Sequence, residues 1–180
     1  MDAGLFFKPE GVIGRLIFRV TRKLAEKIKV VPALALPLQD NPFLDWTAHL
    51  FMASRWQCIV LSNSRCLYSV VLAGKGIANE KSFLEQGLTG LRDYMAIDGT
   101  AYLFDAYIAP YVNSVTFCKA GERRVLGSMN DLIYQAKGYL LEVGLTLPLV
   151  SMRLNETPMS MLDHRHPKTA LLSLDNQPKS

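Results

Sequence analysis

The sequence predicts a single α+β domain, a mostly antiparallel sheet of about five strands covered by three to four helices. Three observations carry that prediction. Cys58–Ser62 and Leu67–Leu72 are apolar at almost every position, the signature of strands covered on both faces. The Asn63-Ser64-Arg65 triplet between them is turn-forming, so the two runs read as neighbours in an antiparallel meander. Two longer stretches, 79 to 96 and 128 to 143, instead repeat apolar residues every three or four positions, as helices that bury one stripe do.

Leu16-Ile17-Phe18-Arg19-Val20 reads as the first strand, and Thr21 caps a short helix whose Leu24, Ala25 and Ile28 share a face. Prolines 32, 37 and 42 make the next segment an extended connection. Strands follow at 46 to 52, 58 to 62 and 67 to 72. Asn79 then caps a helix carrying Leu84, Leu88, Leu91 and Met95, in which Gly87 and Gly90 each cost about 1 kcal/mol relative to alanine. Asp98-Gly99 ends it, Thr100 opens a further helical segment to Pro110, and Val115–Cys118 reads as a strand. Ser128 with Asp131 resembles an acidic capping box, placing the start of the last major helix at Ser128, with Met129, Leu132, Ile133, Ala136, Leu140 and Val143 on its stripe and Gly144 as its stop. Past Leu149 the periodicity fades. The expected organisation is an N-terminal extension over 1–14, the α+β domain over 15–166 and a flexible C-terminal tail over 167–180.

Composition limits the function. At 180 residues and 49% hydrophobic, the chain can bury one sizeable core. A net charge of +4 suits an anionic partner. Cys58, Cys66 and Cys118 are odd in number and lie in apolar runs, which argues against a disulfide framework. No secretory signal is evident, and the longest apolar run, Val30–Leu38, is proline-broken and too short to span a bilayer. A soluble, cytoplasmic protein is expected, with no membrane partner and no cofactor.

Few residues imply chemistry. His164 and His166, with His49 and the cysteines, lack metal-ligand spacing, so no metal site is expected. Ala73-Gly74-Lys75-Gly76 lacks the leading glycine and the Ser/Thr of a phosphate loop and reads as a plain turn. Two arginines ahead of a helix start are more telling. Arg123 and Arg124 could clamp a phosphate or carboxylate beside the amides of Gly127, Ser128 and Asn130, although Asp131 would compete for them. A basic face of Arg22, Lys23, Lys27 and Lys29 could extend such a surface.

The leading reading is therefore a non-enzymatic module for an anionic partner, nucleic acid or nucleotide. A second is a small hydrolase- or transferase-like enzyme using Asp45, His49 and the Ser128 turn. A third is a structural homo-oligomer. One pocket shared by Trp46, His49 and Asp131 would favour the enzyme; a continuous basic face would favour the binding module.

Several stretches are also familiar: Ile17-Phe18-Arg19-Val20-Thr21-Arg22-Lys23-Leu24, Trp46-Thr47-Ala48-His49-Leu50-Phe51, Leu126-Gly127-Ser128-Met129-Asn130-Asp131 and Asn155-Glu156-Thr157-Pro158-Met159. In these the chain resembles a family of small, uncharacterised bacterial and mobile-element proteins defined only as a domain of unknown function, and residues 1–14, outside the likeness, read as a lengthened start or a leader from a gene cassette. The likeness covers roughly residues 15 to 165. It implies a compact bacterial protein and brings no activity, cofactor or catalytic residue.

Overall fold

In a computed structural model, which describes residues 14–176, one five-stranded sheet organises a single domain. Its strands are β1 (Leu16–Val20), β2 (Asp45–Ala53), β3 (Trp56–Asn63), β4 (Ser69–Ala73) and β5 (Val115–Lys119), in the spatial order β4-β3-β2-β1-β5. β2, β3 and β4 form the expected antiparallel meander. β1 instead lies between β2 and β5 and is parallel to both. The sheet is thus mixed, not mostly antiparallel. The difference has a physical reason: tight turns announce antiparallel neighbours in sequence, whereas parallel pairing needs a long crossover that leaves no local mark.

Six helices accompany the sheet among the described residues: α1 (Arg22–Ile28), α2 (Glu80–Ile97), α3 (Ala101–Leu103), α4 (Arg123–Gly138), α5 (Leu147–Asn155) and α6 (Pro167–Asp175). α3 continues into a π-helical turn at Phe104–Ile108, and α4 into another at Tyr139–Val143 that stops at Gly144, φ 73°. None of these helices is long and apolar enough to cross a membrane. α2 starts where its sequence says. Asn79 Oδ1 accepts from the Ser82 amide at 2.9 Å and Ser82 Oγ accepts from the Asn79 amide at 3.1 Å. Its Phe83 meets Phe18 of β1 edge to face, with ring centroids 5.4 Å apart.

Two expectations need correction. α4 begins at Arg123 with Glu122 in the N-cap position, so Ser128 is a buried residue inside the helix and not its cap. The apolar stripe extends back to Val125, which is buried, and burial of that stripe outweighs the low helix propensity of Gly127. The tail expected to be flexible from residue 167 contains α6, whose Ala170 and Leu171 are buried and whose Lys168 Nζ donates to Asp98 Oδ1 at 2.8 Å. A nine-residue helix buries too few apolar positions for its period to stand out from the polar sequence around it. The extension expected over 1–14 falls on residues 1–13, outside the described residues apart from Gly14, as do 177–180 of the tail.

α5 closes one edge of the sheet. The Asn155 side-chain amide accepts from the Ser69 amide at 2.7 Å and donates to the Ser69 carbonyl at 2.8 Å, while Ser151 Oγ accepts from the Val71 amide at 2.9 Å. A primary amide offers a donor and an acceptor side by side, so Asn155 replaces one residue of a missing sixth strand.

Candidate anion-binding cavity

The connection between α1 and β2 is fixed from beneath by a buried ion pair. Alternation along paired strands puts Arg19 of β1 and Asp45 of β2 on one face. Arg19 Nε lies 2.7 Å from Asp45 Oδ1 and Nη2 lies 2.8 Å from Oδ2, a two-pronged contact. The same guanidinium donates to the carbonyls of Leu36 at 2.6 Å and Pro37 at 2.7 Å, and Asp45 Oδ2 accepts from the Gln39 amide at 2.8 Å. Burial pushes the Asp45 carboxyl up, but Arg19, the Gln39 amide and the Ser64 hydroxyl outweigh it, and the group sits below the usual carboxylate range. Asp45 is a structural anion whose oxygens are committed.

With its oxygens taken, Asp45 is not left to orient His49 as the enzymatic reading requires. His49 is half-buried, its Nδ1 2.9 Å from the Leu50 carbonyl, and burial together with Lys23 and Lys137 lowers its affinity for a proton. Trp46 is fully buried with its indole N–H on the Phe43 carbonyl, on the opposite face of β2 from His49. Asp131 is exposed and lines a different cavity, beside Tyr134 and His164. Trp46, His49 and Asp131 therefore do not share a pocket. Gly127, Ser128 and Asn130 lie within α4, past its first turn, so their amides are spent on the helix and not presented to an anion.

Of the cations singled out in the sequence, two converge with a third that was not. Arg22 and Lys29, at the two ends of α1, and Lys119, the last residue of β5, line one cavity of about 660 Å³. It opens at the carboxyl ends of β1 and β5, where the Ala120 amide donates to the Val20 carbonyl at 3.1 Å and ties the two strand exits together. Val20, Ala25, Val30, Val31 and Pro32 form its apolar walls. Glu26 is the one acidic lining residue among those described, held by Arg22 at 2.8 Å across one helical turn. Lys29 ends α1 in the left-handed region at φ 57°. Between Val20 and Arg22, Thr21 Oγ1 is buried with no hydrogen-bond partner among the described residues.

The other basic residues are placed differently. Lys27 donates to Gln57 Oε1 at 2.7 Å, away from the cavity, and Lys23 lies toward His49. Arg124 donates to the Met161 carbonyl at 3.0 Å, whereas Arg123 is exposed three residues beyond the cavity residue Ala120. Lys119 escaped sequence reasoning because a lone lysine at a strand end carries no pattern until the strand's neighbour is known.

Residues 17–170 match a family model described as "Domain of unknown function (DUF6933)". No curated protein and no solved structure matches the chain.

Proposed function

We propose a binding role for this chain, which belongs to the DUF6933 family of unknown function: the cavity at the ends of β1 and β5 takes a phosphate-bearing ligand, a nucleotide or a stretch of nucleic acid backbone. The observation that carries the reading is the convergence of Arg22, Lys29 and Lys119 on one concave site from segments far apart in sequence. Open sheets with parallel strands bind ligands outside the strands' carboxyl ends. Lys29 and Lys119 are exposed and have no ion pair among the described residues, so their charge is available. Arg22 is ordered by Glu26, and the apolar walls suit the flat, weakly polar part of a base. The likeness of the Leu126–Asp131 string to bacterial and mobile-element proteins extends the proposal to a bacterial setting.

The test is equilibrium binding of ATP and of a short labelled single strand at several salt concentrations. Phosphate contacts release counterions, so affinity for the strand falls with salt, and replacing Lys29 and Lys119 together by alanine flattens the logarithmic slope by about 1.4. Absence of binding to either probe, or an unchanged slope in the double variant, removes the reading.

A further inference from the structure

A second cavity, of about 630 Å³, lies at the far end of β3 and has a different character. Its walls are apolar: Trp56, Leu140, Leu145 and Leu147. Trp56 is 59% exposed, although it begins a strand and sits in a well-packed hairpin. Arg55 and Lys75, both exposed, stand at the rim, and among the described residues no lining residue is acidic. Neither cation makes a hydrogen bond or ion pair among the described residues.

The backbone holds this arrangement deliberately close. The Gly74 amide donates to the Gln57 carbonyl at 2.8 Å, and a Cβ at Gly74 would stand 2.9 Å from Gln57 Cβ and 3.0 Å from its carbonyl oxygen. Only glycine lets the strand come so near. Gly76, at φ 84°, then turns the chain immediately after Lys75. The Gly74-Lys75-Gly76 turn, which has no residues for phosphate-loop chemistry, thus pins Lys75 beside Arg55 and Trp56. On the opposite wall the π-helical turn and Gly144 carry the chain from Leu140 to Leu145 and Leu147.

The geometry points to a site for a small amphipathic carboxylate, a medium-chain fatty acid in class, with its chain on Trp56 and the leucines and its head between Arg55 and Lys75. Charge selects this occupant over a second copy of the chain. A two-fold contact sets a patch against itself, which would bring two cationic rims together with no lining carboxylate to offset them.

Trp emission reads the site directly. Trp46 is fully buried, so Trp56 supplies the response to added ligand. Decanoate below its micelle concentration is expected to give a saturable blue shift, and decanol a weaker one. Arg55→Gln with Lys75→Gln lowers decanoate affinity about tenfold while leaving decanol affinity and the far-ultraviolet circular dichroism unchanged. Calorimetry on Trp56→Phe retains heat of binding after the optical signal is lost. Lys29→Ala with Lys119→Ala leaves decanoate binding intact, which separates this site from the strand-end cavity. The proposal is overturned by any of three results: no saturable shift, equal affinity for decanol and decanoate in wild type and charge variant, or a shift that follows protein concentration together with a rise in solution mass, which would make the patch a self-association surface.

Discussion

Asp45→Asn tests how the long connection after α1 is held. The substitution keeps the size of the side chain and an acceptor oxygen but leaves the Arg19 guanidinium, 1% exposed, without its counter-charge. Removing one partner of a buried pair costs about 3–5 kcal/mol, because the surviving ion stays desolvated. With a urea dependence of about 2–3 kcal/mol per M, the unfolding midpoint falls by about 1–2.5 M. That is a large part of the total of about 5–15 kcal/mol that holds a domain of this kind. The direction with pH follows from the lowered Asp45 pKa. A carboxyl depressed in the folded state stabilises above its unfolded pKa, and that contribution is lost as pH falls through the folded value. The gap between wild type and Asp45→Asn therefore narrows in acid and is full at neutral pH. Hydrogen exchange gives a local readout, since the Gln39 amide loses its carboxylate acceptor and its protection. Combining Arg19→Met with Asp45→Leu removes both charges and recovers stability relative to Asp45→Asn, leaving the cost of the freed backbone groups at residues 36, 37 and 39. An unfolding free energy within about 0.5 kcal/mol of wild type, the range of ordinary surface changes, would refute the structural role given to the pair.

Other substitutions discriminate equally well. Ser128→Ala, inside α4 and not at its cap, changes stability by no more than about 0.5 kcal/mol and in the stabilising direction, because alanine is the better helix former; a loss of about 1 kcal/mol of unfolding free energy in a denaturation curve would restore the cap. Asn155→Ala strips two hydrogen bonds from a buried strand edge and costs about 2–4 kcal/mol, with concentration-dependent light scattering as β4 is uncovered; a stable, monodisperse variant would contradict the edge role. Ending the chain at His166 removes buried Ala170 and Leu171 and the Lys168–Asp98 contact, so cooperative unfolding is lost or shifted strongly downward. An unchanged transition would return α6 to the status of a tail.

What the sequence disclosed was local. β2, β3 and β4 were legible because short apolar runs with turn-like residues between them, Asn63-Ser64-Arg65 above all, read as strands folded back on each other, and the Asn79 start of α2 because its cap is built from residues three apart. The partner of β1 was not legible. Nothing near Leu16–Val20 announces Val115–Lys119, and the parallel pairing that joins them also assembles the basic cavity. Arg22 and Lys29 were visible as charge on a helix, and Lys119 became their neighbour only through that pairing. Ser128 misled for a related reason. Serine followed by an acid three residues on occurs inside helices as well as at their ends, and α4 was long enough to begin a full turn earlier.

The central position of β1 also bears on the order in which the molecule can assemble. β1 precedes both of its sheet neighbours in the chain, and during synthesis they arrive far apart in time, β2 first and β5 only after α2 and α3 have emerged. Until then β1 offers one open flank, while β4 stays uncovered until Asn155 follows later still. Contacts so distant in sequence slow folding, and strands left waiting are the places where nascent chains pair wrongly. Synthesis thus passes through an interval in which both outer flanks of the growing sheet are bare, and in that interval mispairing competes with native assembly.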